Sequence, residues 1–336
     1  MFTDDSYHDK KPSNNWLDWM RDKPAPQLAR ALSVKRIEMT TRGQCALCDK
    51  EKKLQQSHII PSFIYRWMKK SSVTGYFRHG EAPNKRVQDG DKIYLLCKSC
   101  EQRFGDWEDI FARKVFLPLH EDGSIEPYGN WLLKYSTSVS WRVLTFFKNY
   151  LDLNHFPKNL LSSVDNALQT WKDFLLDNRP HPDGYEQHML PFRGFIENRN
   201  APELPSNFNR YVSRSIDIDA ACSKTEAFVY VKMCRILLIG FIKMDHPNRW
   251  RDTKIHVNHG ILEKKHYKVP GTIRTFMYHK ARRVQKNQKK ISDRQWDRIG
   301  KDYDKNAEKF RDSEMFHAIT RDSNLFGKAA FDDVKS

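Results

Sequence analysis

The chain has 336 residues, of which 39% are hydrophobic, and it is therefore long enough to form one large core or two smaller ones. Lysine and arginine number 58 against 42 acidic residues; the formal net charge of +16 favours polyanionic partners, although a generally basic soluble protein has the same excess. No apolar run reaches membrane-spanning length and residues 1–15 contain no signal-peptide core, so we expect no membrane span and a cytoplasmic location.

Residues 1–40 are predicted to form an N-terminal arm. Polar residues and prolines surround one short amphipathic patch, Trp16-Leu17-Asp18-Trp19-Met20. This patch is compatible with a docking helix or with a lid on the core, and the sequence does not choose between them.

Two Cys-x-x-Cys pairs, Cys45/Cys48 and Cys97/Cys100, are separated by 48 residues. Two such pairs complete the four-thiolate shell that a structural Zn²⁺ prefers, and the intervening segment is long enough to carry a functional insert. The other two cysteines, Cys222 and Cys234, flank an apolar stretch and are predicted to be buried, inert thiols.

Residues 41–118 are predicted to form a zinc-bound module. A strand is expected from Leu54 to Ile60, ended by Pro61, and a short helix follows it. A second strand, Lys92–Leu96, continues into Cys97, and a helix is expected from there until Pro118 stops it. Strands, knuckle and helix around one zinc predict a treble-clef-like ββα arrangement.

Residues 119–336 are predicted to form a mainly helical accessory or substrate-binding region. Helices are expected at Trp131–Tyr150 and Leu160–Leu176, a loop at His181–Pro205, and a β-hairpin at Ala227–Ile242, where a buried helix is the alternative. A long basic helix is expected over Tyr278–Phe310. The fold class is therefore α+β, with a treble-clef or ββα-metal zinc module in a mainly helical protein that has a small β-hairpin region.

The basic C-terminal helix contains a cluster without interspersed acids, and we predict that it contacts nucleic acid. Its candidate residues are Arg282, Arg283, Lys286, Lys289 and Lys290. Cationic side chains along a helix release counterions from a phosphate backbone, although the same residues are also compatible with a solvated face.

Between the cysteine pairs lies Ser57-His58-Ile59-Ile60-Pro61, and Glu101 directly follows the last cysteine. This order of motifs resembles the zinc-containing branch of the HNH (His-Me finger) endonucleases found in bacterial and phage proteins. The resemblance implies His58 as the general base, a structural zinc on the four cysteines, and a catalytic Mg²⁺ or Mn²⁺. It also implies DNA as the substrate and a role in conflict between phage and host.

The resemblance assigns two further roles. Asn84, the only asparagine between His58 and Cys97, is the candidate for the residue that orients the base, although its context also suits an ordinary turn. Glu101 is the candidate ligand of the catalytic ion. The family commonly has Asp or His where this chain has Ser57, and His where it has Glu101.

Glu108 lies about two helical turns after Glu101. It is therefore a candidate second ligand of the catalytic ion, or a salt-bridge partner of Arg103 or Arg113.

Three function classes follow from the sequence. The leading prediction is a metal-dependent HNH-type endonuclease that hydrolyses phosphodiester bonds in DNA. A single site cuts one strand at a time, so cutting both would need a dimer or a second encounter; the sequence does not choose between a homodimer, a partner protein and neither. The alternative is a zinc-dependent nucleic-acid-binding protein without catalysis. A protein-interaction scaffold stapled by zinc is the third class.

Overall fold

The structure, a computed structural model, combines helices and sheets and describes residues 41–121, 123–151, 153, 156–198, 203–223, 225–245, 247–262 and 270–332. The predicted N-terminal arm, residues 1–40, lies outside the described residues. Among the described helices, none is both long and apolar enough to cross a membrane.

A three-stranded antiparallel sheet in the order β1-β2-β5 begins the described chain. The elements up to its last strand are β1 (Arg42–Gln44), β2 (Glu51–His58), α1 (Ser62–Ser71), β3 (Phe77–Arg78), β4 (Arg86–Val87) and β5 (Lys92–Cys97). Both predicted strands and the short helix after Pro61 are confirmed. Strands β3 and β4 form a separate two-stranded ribbon between them.

The helix that begins after Cys97 is longer than predicted. Helix α2 (Lys98–Phe111) continues through a π-helical turn (Ala112–Phe116) into α3 (Leu117–His120). The prediction that Pro118 stops this helix was wrong. Proline has no N–H to donate to the helix. The π-helical turn just before Pro118 changes the pattern of backbone hydrogen bonds at this point, so the chain continues in helical form.

Two further predicted helices are confirmed as α4 (Asn130–Tyr150) and α5 (Lys158–Leu175). Every residue from Leu132 to Phe147 of α4 is buried. A helix that is buried on all sides lies inside a large core, which explains the mixed spacing of its aromatic residues. A short ribbon, β6 (Tyr128–Gly129) with β11 (His259–Gly260), closes over the start of α4.

The predicted β-hairpin belongs to a larger, four-stranded antiparallel sheet in the order β7-β10-β9-β8. Its strands are β7 (Gln187–Pro191), β8 (Ile216–Cys222), β9 (Ala227–Met233) and β10 (Ile236–Lys243). The hairpin itself, β9–β10, is confirmed. The predicted loop His181–Pro205 contains β7, so that prediction was wrong for the residues of this strand.

Helix-rich segments on either side of residues 263–269 complete the described fold. They are α6 (Phe208–Arg214), a 3-10 helix (Pro247–Thr253), α7 (Gly271–Gln288), α8 (Asp293–Lys305), α9 (Ala307–Arg311), α10 (Glu314–Phe326) and a 3-10 helix (Gly327–Phe331).

The predicted continuous helix Tyr278–Phe310 was wrong, because the chain turns between α7 and α8. At this turn the Asn84 side chain donates to the carbonyl of Lys290 at 2.9 Å and accepts from the N–H of Ser292 at 2.8 Å. A distant loop amide thus satisfies backbone groups that an unbroken helix would pair internally.

Two hydrophobic clusters lie on opposite faces of the four-stranded sheet. The larger contains the four-cysteine region, α2, α4, α5 and one sheet face, so a single cluster extends across residue 118. The smaller joins the other face to α6 and α7. Strands β9 and β10 are buried on both faces except at Lys243, so their sequences read as apolar runs rather than as an alternation.

Strand β10 approaches α4 most closely at Gly240. A Cβ atom there would lie 2.5 Å from Ser140 Oγ and 3.0 Å from Gln187 Oε1. We expect Gly240→Ala to lower the free energy of unfolding by about 1–3 kcal/mol through overpacking. Urea denaturation measures this, with Gly184→Ala as the control because a Cβ at Gly184 meets no atom within 4 Å. Equal stability of the two variants would contradict close packing at Gly240.

Candidate metal centre and histidine site

The four predicted zinc ligands converge. The sulfur atoms of Cys45, Cys48, Cys97 and Cys100 all lie within 4.8 Å of one another, and those of Cys48 and Cys97 are 3.8 Å apart. In a tetrahedral zinc site, Zn–S bonds of about 2.3 Å place the sulfurs about 3.8 Å apart. The cluster can therefore hold a metal ion such as zinc, as the sequence predicted.

The first cysteine pair lies in the turn between β1 and β2. The N–H of Cys45 donates to the carbonyl of Lys50 at 3.0 Å, and that of Asp49 donates to the carbonyl of Cys45 at 2.9 Å. Asp49 takes a φ of +57°, a left-handed conformation that aspartate tolerates better than most residues. The N–H of Ala46 also donates to the carbonyl of Leu95, at 3.0 Å, which ties this knuckle to β5.

The second cysteine pair lies where β5 becomes α2. Cys97 is the last residue of the strand, and Cys100 lies in the first turn of the helix. The Cys97 N–H donates to Cys45 Sγ at 3.3 Å, which joins the two pairs directly. The hydrogen bond from Cys100 lowers the pKa of the Cys45 thiol to about 4 against the opposing effect of burial, and the same interaction raises the pKa of the Cys100 thiol. Within this pair, therefore, Cys45 is the sulfur that most readily becomes a thiolate.

The remaining two cysteines are buried, as the sequence predicted. Burial raises the pKa of the Cys234 thiol to about 12. Both thiols are therefore unreactive by position and are suitable controls for the four in the cluster.

His58 is the last residue of β2 and lies beside Asp89, the acidic residue in the turn before β5. Its Nε2 is 2.9 Å from Asp89 Oδ1, and Lys92 Nζ is 2.6 Å from Asp89 Oδ2. Burial opposes ionisation, but the hydrogen bonds from Lys92 and His58 prevail and lower the pKa of Asp89 to about 2. Because the carboxylate is ionised at neutral pH, Nε2 carries the shared proton and Nδ1 is the acceptor of the neutral ring.

A buried ion pair supports the backbone of His58. Arg142, which is 2% exposed in the middle of α4, donates through Nη1 to the His58 carbonyl at 3.0 Å. Its Nη2 is 2.6 Å from Glu108 Oε1. Removing one partner of such a pair leaves a buried charge uncompensated, so the pair holds the end of β2 firmly against α2 and α4.

Ser57 and Glu101, which occupy the positions where the sequence departs from the HNH pattern, contact each other. The Ser57 side chain is fully buried and its hydroxyl donates to Glu101 Oε2 at 2.6 Å. Antiparallel pairing sets Leu54 opposite Cys97, so the first turn of α2 lies over the end of β2. The side-chain oxygens of Ser57, which precedes His58 in β2, and of Glu101, in the first turn of α2, are therefore in contact.

Asn84 does not contact His58, because its side chain binds the turn between α7 and α8. Asp89 occupies the position beside the imidazole that the sequence assigned to Asn84. Glu108 pairs with Arg142 rather than with Arg103 or Arg113. Burial raises the pKa of Glu108, with Arg142 opposing that rise.

The five predicted nucleic-acid-binding residues are exposed, and they lie at the end of α7 and in the following turn. Arg283 pairs with Glu81 at 2.6 Å, and Lys290 binds the Asn287 side chain at 2.7 Å. Arg282 donates to the Glu203 carbonyl. These contacts bring the basic segment beside the loop between β3 and β4, which also carries Asn84.

Sequence reasoning missed Asp89 and Arg142. Asp89 could have been found from strand register, because antiparallel pairing of the two predicted strands sets His58 opposite Lys92 and leaves the preceding turn beside the imidazole. Arg142 carries no comparable signal, because an arginine in an aromatic helix gives no indication of which carbonyl it will reach.

Comparison of the chain with protein-family models, with curated proteins and with solved structures found no match. The site is therefore interpreted from its own geometry.

We expect the protein to purify with one zinc per chain and Cys97→Ser to lose that zinc and unfold at lower temperature, because three thiolates hold the ion less well. Elemental analysis and thermal denaturation measure both effects. Cys222→Ser, which changes a buried thiol outside the cluster, is the control and should keep the metal. Equal zinc content in the two variants would contradict a four-cysteine site.

The lowered pKa of Asp89 gives a testable pH dependence. Its folded-state pKa of about 2 lies below the ordinary 3.8, so its stabilising effect is complete above pH 4 and is lost as pH falls toward 2. We expect the difference in unfolding free energy between wild type and Asp89→Asn that arises from this ionisation to be present above pH 4 and to shrink between pH 4 and pH 2. Chemical denaturation at several pH values measures it. A difference that grows on acidification would mean that the carboxylate is not stabilised in its ionised form.

Proposed function

We propose that this protein is a metal-dependent endonuclease of the HNH type that hydrolyses phosphodiester bonds in DNA. The observation that carries the proposal is the pairing of His58 with Asp89 at the end of a strand that the four-cysteine cluster holds in register. An imidazole whose orientation and tautomer are fixed by a carboxylate is a typical arrangement for a general base.

In the proposed reaction, a water molecule attacks phosphorus in line with the 3′-oxygen. His58 Nδ1 accepts the proton from that water while Asp89 keeps the other ring nitrogen protonated. The new P–O bond forms as the bond to the 3′-oxygen breaks, and the electron pair leaves with that oxygen. Asp89 stabilises the imidazolium that results, so its ionised state is part of the mechanism.

Glu101 is the proposed protein ligand for a catalytic Mg²⁺ or Mn²⁺, and the fully buried Ser57 hydroxyl orients its carboxylate. Carboxylate oxygens suit these hard cations, and phosphate and water oxygens supply the rest of a six-coordinate shell. When bound, the ion would supply positive charge beside the scissile phosphate.

The zinc is proposed to be structural, in a module of treble-clef type. A cysteine knuckle, a hairpin and a helix whose first turn supplies the last ligand support this assignment. Four thiolates also leave no open position on the metal for a water molecule, which separates this centre from the proposed catalytic one.

One observation favours the alternative of a zinc-dependent nucleic-acid-binding protein without cleavage. The Ser57 hydroxyl already satisfies one oxygen of Glu101. A carboxylate with a hydrogen-bond donor in this position is stable without a divalent ion. In that case the net charge of +16 and the exposed basic residues at the end of α7 would account for binding.

Nicking of supercoiled plasmid tests the proposal. We expect wild type to nick the plasmid with Mg²⁺ or Mn²⁺, and His58→Ala to be slower by at least about 100-fold because the general base is lost. Asp89→Asn should be slower by about 10- to 100-fold because an amide does not hold the same tautomer or stabilise the imidazolium.

Two control variants test whether a loss of nicking comes from the site itself rather than from misfolding of the protein. His181→Ala removes a surface histidine that also pairs with an aspartate, Asp183, at 2.6 Å; it should nick at the wild-type rate. Asn84→Ala should also retain activity, since Asn84 binds the turn between α7 and α8. Metal-independent nicking, or equal rates for wild type and His58→Ala, would contradict the endonuclease. Salt-dependent plasmid binding without nicking would favour the alternative.

A further inference from the structure

A cavity of about 930 Å³ lies between the zinc module and the C-terminal helices. Ile59, Ile60 and α1 form one side of it, and α7, α8 and the start of β8 form the other. Its volume is at the upper end of the range for small-molecule pockets, which is about 300–1,000 Å³. The lining of the cavity contains neither the four cysteines nor His58, although it adjoins the residues on either side of that histidine's site.

Aromatic rings form part of the wall of the cavity. Tyr65, Tyr76, Trp296 and Tyr303 all line it, and the guanidinium of Arg86 lies 5.0 Å from the Tyr76 ring centroid. Rings of this kind bind flat ligands by stacking, and neighbouring guanidinium groups stack in the same way.

Polar side chains in the same wall have unmet hydrogen-bonding capacity. Among the described residues, Asn207 Oδ1 and Glu81 Oε2 are buried acceptors without a hydrogen-bond partner, and Trp296 Nε1 is a buried donor without one. Asn207 is only 2% exposed, and its amide nitrogen donates to the Ala281 carbonyl at 2.8 Å. Buried polar groups in this state are costly, and because these atoms have almost no accessible surface, their side chains would have to turn toward the cavity for a ligand with donors and an acceptor to satisfy them.

The cavity also reaches the proposed catalytic centre. Asp89, the hydrogen-bond partner of His58, and the adjacent Gly90 belong to its lining. Gly90 lies directly against the Tyr65 ring, so close that a Cβ would lie 2.2 Å from the ring. A ligand in the cavity would therefore lie next to the carboxylate that orients the base.

We propose that this cavity binds a nucleobase. A nucleobase is flat, stacks on aromatic side chains, and carries ring acceptors together with exocyclic donors, so it matches both the rings and the unmet polar groups. Its source is either a free nucleoside or nucleotide, or a base unstacked from nucleic acid bound at His58. Only the second source rests on the proposed function.

The wall fits other common ligands less well. A fatty acyl chain gains nothing from the donors and acceptors, and it would lie against Lys280, which pairs with Asp217 at 3.1 Å and Asp219 at 2.8 Å. Burying this ionic cluster under hydrocarbon would remove its remaining contact with water at a cost in free energy.

Calorimetric titration with the uncharged nucleosides adenosine, guanosine, cytidine and thymidine tests the proposal without requiring cleavage. We expect the full chain, without added Mg²⁺, to bind at least one of them saturably. Trp296→Leu should weaken that binding at least tenfold because a stacking surface is lost. Trp131→Leu is the matched control, because Trp131 is half-buried and lies outside the cavity; it should bind within twofold of wild type.

Each outcome has a defined meaning, provided that the zinc content and unfolding temperature of both variants match wild type. No saturable binding up to millimolar concentration, or equal weakening in both tryptophan variants, would overturn the proposal. So would Trp296-dependent binding of dodecanoate without binding of any nucleoside.

A competition arm with the His58→Ala chain identifies the source of the base. Displacement of the nucleoside by a DNA duplex would support a base drawn from nucleic acid, and simultaneous binding of both would support a free nucleoside. The His58→Ala chain lacks the proposed general base, and the experiment measures only binding. The competition result can therefore be interpreted even if the protein proves not to be an endonuclease.

Discussion

The four-cysteine cluster is the constraint on which the rest of the site depends. It fastens the knuckle between β1 and β2 to the junction of β5 and α2, two segments separated by 48 residues. Once that junction is fixed, strand register places Asp89 beside His58 and the first turn of α2 places Glu101 beside Ser57. A metal ion held by the four cysteines would therefore also influence the geometry of His58, which it would not contact.

The buried Arg142–Glu108 pair connects this module to the remaining core. Arg142 comes from the most deeply buried helix, α4, which packs on the four-stranded sheet, and it contacts the carbonyl of His58. A metal ion bound by the four cysteines would order the module internally, while Arg142 fixes the end of β2 relative to the sheet. One hydrophobic cluster includes both regions, so we expect the position of His58 to depend on the whole core.

The sequence predicted those elements that are determined by residues close together in the chain. The metal ligands, β2, β5, α1, α4 and α5 all follow from cysteine spacing, apolar periodicity or a bounding proline. The failures have tertiary causes. Asn84 breaks a helix from more than 200 residues away in the chain, β7 is obscured by the polar pair Gln187-His188, and a π-helical turn carries the chain past Pro118. Asp89 was recoverable from strand register, whereas the contact between Arg142 and His58 was not.

The central claim is that the fold presents His58 with Nε2 bound to Asp89 and Nδ1 available to accept a proton. Nitrogen-15 NMR of the zinc-loaded protein, labelled at histidine and assigned with His58→Gln, measures this tautomer directly. We expect a neutral ring protonated at Nε2, with that preference lost in Asp89→Asn. A ring protonated at Nδ1, or one averaging between tautomers in wild type, would contradict the claim that the site is preorganised for general-base chemistry.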